Sequence, residues 1–292
     1  MFARCALSYA RYREEHSAGG PQSVKVVILC GGLGTRLREE TEFRPKPLAE
    51  LGGRPILWHI MKMYAHYGIR DFILCLGYRG QMIKEYFLKY EAISNDFTID
   101  LGRNNRVEYL EEHAEQDFRV TLADTSLDAS TGSRVARVKK YVGDDQTFLV
   151  SYGDGVADLD VQSLIRFHRS HGRIATVTAV QPTTRWGVLE FDTRGQVSRF
   201  SEKPRLEGWV SVGYFVFQRE IFDYLSTDPS TVLEGAPLER LVSDGQLMAY
   251  RHHGFYQAMD TYREFRLLNE LWDTGRAPWR IWDQREDGSG GQ

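Results

Sequence analysis

A glycine-rich turn near the start of the chain is the first feature that could bind a charged ligand. The segment GGLGTR, residues 31–36, directly follows a short apolar run rich in β-branched residues. Glycines at such a turn let the backbone approach a ligand closely and direct N–H groups toward a phosphate or a base edge. Thr35 adds a hydroxyl donor, and Arg36 adds a cation suited to phosphate. The turn therefore indicates a nucleotide-binding loop, the alternative being a tight turn whose glycines serve geometry alone.

Two familiar nucleotide-binding loops do not fit this segment. A dinucleotide-binding fingerprint requires a third glycine where Leu37 stands, and an acidic residue at the end of the second strand, where Gly77 stands. A P-loop requires Gly-Lys followed by Ser or Thr, and the dipeptide Gly-Lys does not occur in the chain. The loop is therefore expected to hold a nucleotide by another scheme.

A lysine between two prolines lies ten residues after Arg36, in the tetrapeptide Arg44-Pro45-Lys46-Pro47. Proline fixes φ at both neighbours of Lys46, and a residue before proline favours extended backbone, which predicts an extended Lys46. A cation on such a stiff segment suits the stabilisation of negative charge in a transition state. The alternative is an exposed lysine in a proline turn. Its proximity to the glycine-rich turn favours the catalytic interpretation.

Two aspartates are candidates for binding a metal ion. Asp154 ends an apolar strand between Gly153 and Gly155, which is a good position for presenting a carboxylate to a cleft. Asp260 lies 106 positions later, so spacing alone cannot pair the two. Two carboxylates completed by phosphate oxygens and water are a usual environment for Mg²⁺. The alternatives are an Asx-turn for Asp154 and a helix N-cap for Asp260.

The elements that must position these residues alternate between strands and helices. Residues 24–30 (VKVVILC) and 71–76 (DFILCL) are typical of strands buried on both faces. An amphipathic helix is predicted after each strand, the first from Pro55 to Gly68 and the second over residues 82–90. This alternation predicts a parallel sheet with covered faces.

The rest of the chain continues this pattern less regularly. A third buried strand is predicted at residues 146–152, followed by a helix from about Asp160 to Gly172. Further strands are predicted at residues 97–101, 118–123, 174–180, 188–191 and 210–217, and a last helix carries Phe265, Leu268, Leu271 and Trp272. We therefore expect one α/β domain with a smaller, mixed α/β C-terminal part.

Composition narrows the classes of protein that this chain can be. It has 292 residues, of which 42% are hydrophobic and 26% charged, close to the average for globular proteins. A net charge of -3 argues against a broad nucleic-acid surface, and no apolar run approaches the ~20 residues of a membrane helix. Cys5, Cys30 and Cys75 form no CxxC pair, which excludes a zinc ribbon or disulfide scaffold and fits a reducing cytoplasm.

The sequence predicts one folded domain with a flexible segment at each end. Residues 1–23 carry an apolar run of only six residues and end beside Gly19-Gly20-Pro21, so a flexible extension is predicted there. The folded domain is predicted over residues 24–282. The polar residues 283–292 are predicted to form a flexible tail.

These motifs resemble those of the sugar-phosphate nucleotidylyltransferase family, in which a Gly-Gly-x-Gly-Thr-Arg loop precedes a lysine in a Pro-Lys-Pro segment. Within that family, the residues at 52–69, 77–87, 151–160 and 277–282 are similar to the branch that uses CTP and glucose 1-phosphate. The resemblance spans residues 24–282. It implies a Rossmann-like mixed, mostly parallel sheet with helices on both faces and an active site at the carboxyl ends of the strands.

The resemblance also implies roles for residues that match the family motifs. It implies that Lys46, Arg36 and Asp154 take part in catalysis and that Asp154 and Asp260 bind a metal ion. Nucleotide binding falls to Gly31, Gly32, Gly34, Thr35, Arg36, Lys46, Thr131, Arg134 and Gly153. Sugar-phosphate binding falls to Glu202, Lys203 and Gly213. The sequence departs from the family pattern at Ser133, which replaces a glycine, and at Ser211-Val212, where relatives more often have Asn-Gly.

The implied reaction is a Mg²⁺-dependent transfer of a cytidylyl group from CTP to α-D-glucose 1-phosphate, giving CDP-glucose and pyrophosphate. The product would serve deoxysugar biosynthesis in bacteria. The same chemistry with dTTP or UTP is an alternative, and so is a catalytically silent protein of this fold that senses nucleotide sugars. The resemblance further implies a homo-oligomer in the cytoplasm, with no nucleic-acid or membrane partner.

Overall fold

The computed structural model describes residues 24–102, 105–184 and 186–283, which form a mixed α/β fold around a seven-stranded sheet. The strands are β1 (Lys25–Cys30), β2 (Glu50–Leu51), β3 (Arg54–Pro55), β4 (Asp71–Leu76), β5 (Phe97–Asp100), β6 (Arg106–Tyr109), β7 (Arg119–Asp124), β8 (Thr147–Tyr152), β9 (Gly155–Ala157), β10 (Ala175–Val180), β11 (Val188–Phe191), β12 (Val197–Ser201), β13 (Val210–Gln218), β14 (Leu247–Arg251) and β15 (Tyr256–Ala258). The predicted extension at residues 1–23 and the tail from residue 284 onward lie outside the described residues.

The α-helices lie between these strands along the chain. They are α1 (Arg38–Thr41), α2 (Ile56–His66), α3 (Gly80–Leu88), α4 (Tyr90–Ser94), α5 (Thr131–Arg137), α6 (Lys139–Val142), α7 (Val161–His171), α8 (Ala236–Ser243) and α9 (Tyr262–Asp273). None of the helices in the described ranges combines the length and apolar character needed to cross a bilayer.

The central sheet has the strand order β14-β10-β13-β8-β1-β4-β7. Strand β1 pairs in parallel with both β4 and β8, and β7 extends the parallel part beyond β4. Strand β13 runs antiparallel to its neighbours β8 and β10, and β14 pairs in parallel with β10. The prediction of a mixed, mostly parallel sheet is therefore confirmed.

Both faces of the sheet are covered, which explains the uninterrupted apolar strands. Val26 and Ile28 pack with Leu57 of α2 in the core on one face. Val27 and Leu29, which alternate with them along β1, belong to the core on the other face, beside Val135 of α5. Alternate residues of a strand point to opposite faces, so a strand buried on both sides needs apolar residues at every position.

The structure differs from the predictions in the second helix and at the end of the sheet. The helix predicted over residues 82–90 is confirmed as α3, but α3 ends at Leu88 and a separate helix, α4, begins at Tyr90, so its predicted end is wrong. The chain also returns late to the main sheet through β14, which was not predicted. Its side chains are half-buried or exposed, as expected of a strand at the edge of a sheet, so an apolar pattern is weak there.

Candidate active site

A cleft lies at the carboxyl ends of the neighbouring strands β1 and β8. The glycine-rich turn 31–36 follows β1, Gly77 follows β4, and Gly153-Asp154 follow β8. The cleft has a volume of about 480 Å³. Its lining includes the turn 31–36, Lys46, Thr131, Arg134, Tyr152 and Asp154. This placement at the strand ends is where open α/β sheets bind ligands in general.

A small antiparallel ladder brings the two distant aspartates together. Strand β9, directly after Asp154, pairs with β15 so that Gly155 lies opposite Ala258. The Met259 N–H donates to the Asp154 carbonyl at 2.8 Å, which sets Asp260 beside Asp154. Both strands have only three residues, too few for a clear alternation pattern, so the sequence analysis missed the pairing.

Asp260 precedes the N-terminus of α9 and does not cap it. Thr261 is the N-cap residue, and the Glu264 carboxylate accepts the backbone N–H groups of both Asp260 and Thr261 at 2.9 Å. The alternative interpretation of Asp260 as an N-cap is therefore wrong, and its carboxylate is available to the site. The spacing of Thr261 and Glu264 is that of a capping box, a signal that the sequence did contain.

Lys46 is buried and bridges the two aspartates. Its Nζ lies 2.6 Å from Asp154 Oδ2 and 2.7 Å from Asp260 Oδ1, and only 8% of the residue is exposed. The chain turns there in a 3-10 helix over Lys46–Leu48, closed by a hydrogen bond from the Leu48 N–H to the Pro45 carbonyl. The predicted extended backbone of Lys46 is therefore wrong, and so is the alternative of an exposed lysine.

Arg36 completes a cluster of two cations and two carboxylates. Its Nη2 lies 3.0 Å from Asp260 Oδ1, and its side chain is 72% exposed. We call Arg36, Lys46, Asp154 and Asp260 the charge quartet. Its formal charges cancel, and its members match different parts of a metal–nucleotide complex: cations suit phosphate oxygens, and carboxylates suit a hard divalent cation.

The donor set of the charge quartet fits a divalent metal that is shared with phosphate. Asp154 and Asp260 already hold one cation, the Lys46 ammonium, between their oxygens. Within the described residues, no group of three or more His, Cys, Asp and Glu side chains is arranged to hold a metal. The remaining ligands would therefore be phosphate oxygens and water, which is common for Mg²⁺.

Arg134 contacts the protein's own oxygen atoms on the other side of the glycine-rich turn. Its guanidinium donates to the carbonyls of Gly31, Leu76, Ser126 and Leu127 and to Thr125 Oγ1, at distances from 2.8 to 3.1 Å. A Cβ on Gly31 would overlap this guanidinium, so glycine is required there to accommodate Arg134. These hydrogen bonds support the glycine-rich turn, and because Arg134 also lines the cleft, the nucleotide contact that the resemblance implies stays a prediction.

Thr131 and its neighbours form a further wall of the cleft. The Thr131 hydroxyl donates to Glu234 Oε2 and accepts the Leu233 N–H, both at 2.9 Å. The Tyr152 hydroxyl donates to Glu234 Oε1. Glu234 therefore links two residues of the cleft, and the sequence analysis did not single it out because it belongs to no recognised motif. Ser133 donates to the Thr227 carbonyl, so its hydroxyl serves packing.

The three residues implied in sugar-phosphate binding are not brought together at the cleft. Gly213 is buried with φ of 75°, and a side chain there would overlap the Tyr152 ring. Glu202 and Lys203 follow β12, are exposed, and pair with each other at 3.5 Å. Neither lines the cleft, so Gly213 alone of the three lies beside one of its wall residues.

Cys30 is the thiol of the cleft lining, and it is not an activated nucleophile. Burial raises its pKa well above the ordinary value, and nearby Cys75 and Asp154 raise it further. The thiol is therefore neutral near pH 7. A larger cleft of about 690 Å³ lies elsewhere, beside Trp58, Tyr86 and Phe118, but its lining is mostly aromatic and aliphatic and includes no lysine or arginine. The charged cleft is the better candidate for a phosphorylated substrate.

The family of the chain follows from comparison with known proteins. The nucleotidyl transferase family matches residues 25–274. The glucose-1-phosphate cytidylyltransferases of Salmonella typhi and Salmonella typhimurium are each 49% identical over 261 residues, which is 89% of this chain and all of each relative. The structure of HddC from Yersinia pseudotuberculosis, complexed with GMP-PN, is 20% identical with a TM-score of 0.60, covers 85% of this chain and 99% of its own, and supports the fold alone. The chain therefore belongs to the nucleotidyl transferase family, where it groups with the glucose-1-phosphate cytidylyltransferases.

Proposed function

We propose that the protein transfers the cytidylyl group of CTP to α-D-glucose 1-phosphate, giving CDP-glucose and pyrophosphate. The observation that carries the proposal is the charge quartet, in which Lys46 and Arg36 lie within 3.0 Å of Asp154 or Asp260 at the end of the parallel strands. Such a cluster offers cations to a triphosphate and oxygen ligands to its metal. The two Salmonella relatives are named for this activity, and this chain matches them over their full length.

The nucleotide would lie along the glycine-rich turn with its phosphates at the charge quartet. Gly31, Gly32 and Gly34 would let the triphosphate and base approach the backbone, with Thr35 and Gly153 beside them. Lys46 and Arg36 would hold phosphate oxygens and stabilise the negative charge that develops at the α-phosphate. Thr131, which lines the same cleft, would also contact the nucleotide.

Enzymes of this family use a divalent metal, and we assign Mg²⁺ to the two carboxylates of Asp154 and Asp260. When bound with the triphosphate, Mg²⁺ would supply positive charge to the phosphate oxygens. The role of Asp154 and Asp260 is to hold that charge at one fixed position over the strand ends.

The reaction is an in-line displacement that needs no nucleophile from the protein. A phosphate oxygen of glucose 1-phosphate forms a bond to the α-phosphorus of CTP, and the bond to pyrophosphate breaks, its electron pair leaving with pyrophosphate. The neutral thiol of Cys30 agrees with this direct route. Catalysis then rests on positioning and charge stabilisation. Glu202, Lys203 and Gly213 are proposed to bind the sugar phosphate, Glu202 and Lys203 being in the exposed segment after β12.

The remaining assignments follow the same family. We propose a homo-oligomer in the cytoplasm, where CTP and glucose 1-phosphate are available, with residues 24–282 as the catalytic domain. The two described cysteines, Cys30 and Cys75, are buried free thiols, in agreement with a reducing compartment.

Pyrophosphate release with glucose 1-phosphate and each nucleoside triphosphate in turn tests the proposal. We expect kcat/KM for CTP to exceed that for UTP and dTTP by at least about tenfold, because cytosine offers an amino donor where the other two bases offer a carbonyl. A preference for UTP or dTTP would move the protein to another branch of the family. Absence of turnover with every triphosphate, while CDP-glucose still binds, would favour the sensor.

A further inference from the structure

We infer that Lys46 is a built-in counter-ion that occupies the metal position of the free protein and leaves it when nucleotide binds. The inference rests on the proposed metal site at Asp154 and Asp260. It adds an order of events: the free protein resists metal, and metal enters together with the triphosphate.

Lys46 and a metal ion would use the same carboxylate oxygens. The Lys46 Nζ is 2.6 Å from an oxygen of Asp154 and 2.7 Å from an oxygen of Asp260, so one ammonium spans both carboxylates. A divalent cation bound by the same two oxygens would need ligand distances of about 2.0–2.6 Å. The ammonium and the metal therefore require the same space and cannot be bound there together.

Lys46 is more deeply buried than the two carboxylates that it joins. The Lys46 side chain is only 9% exposed, whereas the side chains of Asp154 and Asp260 are 27% and 25% exposed. The carboxylates therefore face solvent in part, while their shared cation lies deeper. A metal ion arriving alone meets two carboxylates whose charge Lys46 and Arg36 have already neutralised, and it must displace a lysine that has no other anion to pair with in the charge quartet.

A triphosphate removes that obstacle. Its oxygens give Lys46 and Arg36 new anionic partners, and the carboxylates become free to bind the metal that the triphosphate brings. Partners are exchanged and no charge is left unpaired. Metal and CTP should therefore bind cooperatively, and by linkage each should raise the affinity for the other by the same factor.

The experiment measures binding of Mn²⁺ to the full chain by electron paramagnetic resonance of the free ion, with and without CTP, after subtraction of the Mn²⁺ that CTP binds in protein-free samples. CTP alone cannot react, so no turnover disturbs the measurement. Lys46→Gln and Lys46→Met remove the ammonium; Gln can still donate hydrogen bonds to the carboxylates, so it guards against a folding failure of Met. Lys62→Met is the matched control, because Lys62 is a half-buried lysine that likewise pairs with a carboxylate, Glu115, at 2.9 Å outside the charge quartet.

Without CTP, we expect both Lys46 variants to bind Mn²⁺ at least about tenfold more tightly than the wild type, and Lys62→Met to match the wild type. With CTP, this advantage should disappear, so the ratio of Mn²⁺ affinities with and without CTP falls in the variants. Equal or weaker Mn²⁺ binding by both folded Lys46 variants without CTP would overturn the inference.

The same titration separates this inference from the proposed function. If the wild type with CTP binds Mn²⁺ and forms CDP-glucose while the Lys46 variants gain no affinity, the inference alone is wrong. If Asp154→Asn with CTP binds Mn²⁺ as tightly as the wild type does, the metal assignment is wrong and the inference is overturned with it.

Discussion

Arg134 and Lys46 are both buried cations in the lining of one cleft, but they are held by different partners. Arg134 donates to four backbone carbonyls and one hydroxyl, all uncharged. Lys46 donates to two carboxylates. Uncharged oxygen atoms satisfy the hydrogen bonds of a guanidinium, and a ligand is not expected to replace them. A phosphate, by contrast, can replace two carboxylates as the anionic partner of an ammonium. We therefore propose that Arg134 supports the glycine-rich turn and that Lys46 takes part in the chemistry.

The energetic consequences should differ in the same way. Loss of Arg134 would remove five hydrogen bonds that join the glycine-rich turn to the segment 125–127, each worth about 0.5–1.5 kcal/mol, although the Gly31 and Leu76 carbonyls keep the Tyr78 and Thr125 N–H groups as donors. Loss of Lys46 would leave two carboxylates that are about a quarter exposed, so water can solvate them, and Arg36 remains paired with Asp260. Stability should therefore depend on Arg134 and turnover on Lys46.

Substitution of Lys46 by alanine should have the larger effect on turnover. We expect kcat to fall by about 10²–10³, as for the loss of one electrostatic donor to a transition state. The melting temperature should change by only a few degrees, because the freed carboxylates are partly solvated. Steady-state kinetics and thermal melting of the same preparation test both statements, and an unchanged kcat in a folded variant would remove Lys46 from catalysis.

Substitution of Arg134 by glutamine should give the opposite balance. We expect the melting temperature to fall clearly and the KM for CTP to rise about tenfold, with kcat within a few-fold of the wild type, because the turn that receives the nucleotide loses its support. Arg134→Lys should recover only part of this loss, since three donors cannot replace five. A loss confined to kcat, with unchanged stability, would instead indicate direct contact with the reacting phosphates.

A third buried basic group, His59, sharpens the comparison through pH, because it is uncharged. Its Nε2 contacts the Leu51 carbonyl at 2.8 Å, and the Trp279 indole N–H donates to its Nδ1 at 3.3 Å. Burial lowers the pKa of His59 from 6.5 to about 4. The unfolded chain therefore takes up a proton first as pH falls. Above pH 6.5 the buried neutral ring costs the folded state no stability. As pH falls from 6.5 toward 4, the free energy of unfolding falls by up to about 1.4 kcal/mol per pH unit.

His59→Gln should therefore flatten the pH dependence of stability, although it lowers stability at neutral pH. Denaturant unfolding at pH 7.5, 6 and 5 measures the slope. His253→Gln, at an exposed histidine, is the control and should keep the slope of the wild type. A His59 variant with the same slope as the wild type would show that protonation of this ring does not limit folding in acid.

The sequence predicted the parts of the fold that depend on local pattern. The buried strands before Gly31 and Gly153 are continuous apolar runs, and the helix Val161–His171 has Asp160 and Gly172 at its ends as expected. The pairing of Asp154 with Asp260 could not be predicted in this way, because it depends on a three-residue ladder between segments a hundred positions apart.

The sequence also could not reveal how the cations are paired. Residue type and position indicated a phosphate contact for Lys46, and the family resemblance implied a nucleotide contact for Arg134, but partner choice depends on which oxygen atoms the fold places within reach. Gly31 shows the same limit: a glycine in a nucleotide-binding turn suggests room for a ligand, whereas here it also makes room for Arg134.

We propose that Asp154 and Asp260 act together on one metal ion beside Lys46. A double-mutant cycle tests it most directly: kcat/KM is measured for the wild type, Asp154→Asn, Asp260→Asn and the double variant over a Mg²⁺ titration. We expect each single variant to lose most of its activity and to recover part of it at high Mg²⁺. The double variant should lose much less than the sum of the two single losses in free energy, because both act on one ion. Strictly additive losses, or an Asp260→Asn variant with the magnesium dependence of the wild type, would contradict a shared site.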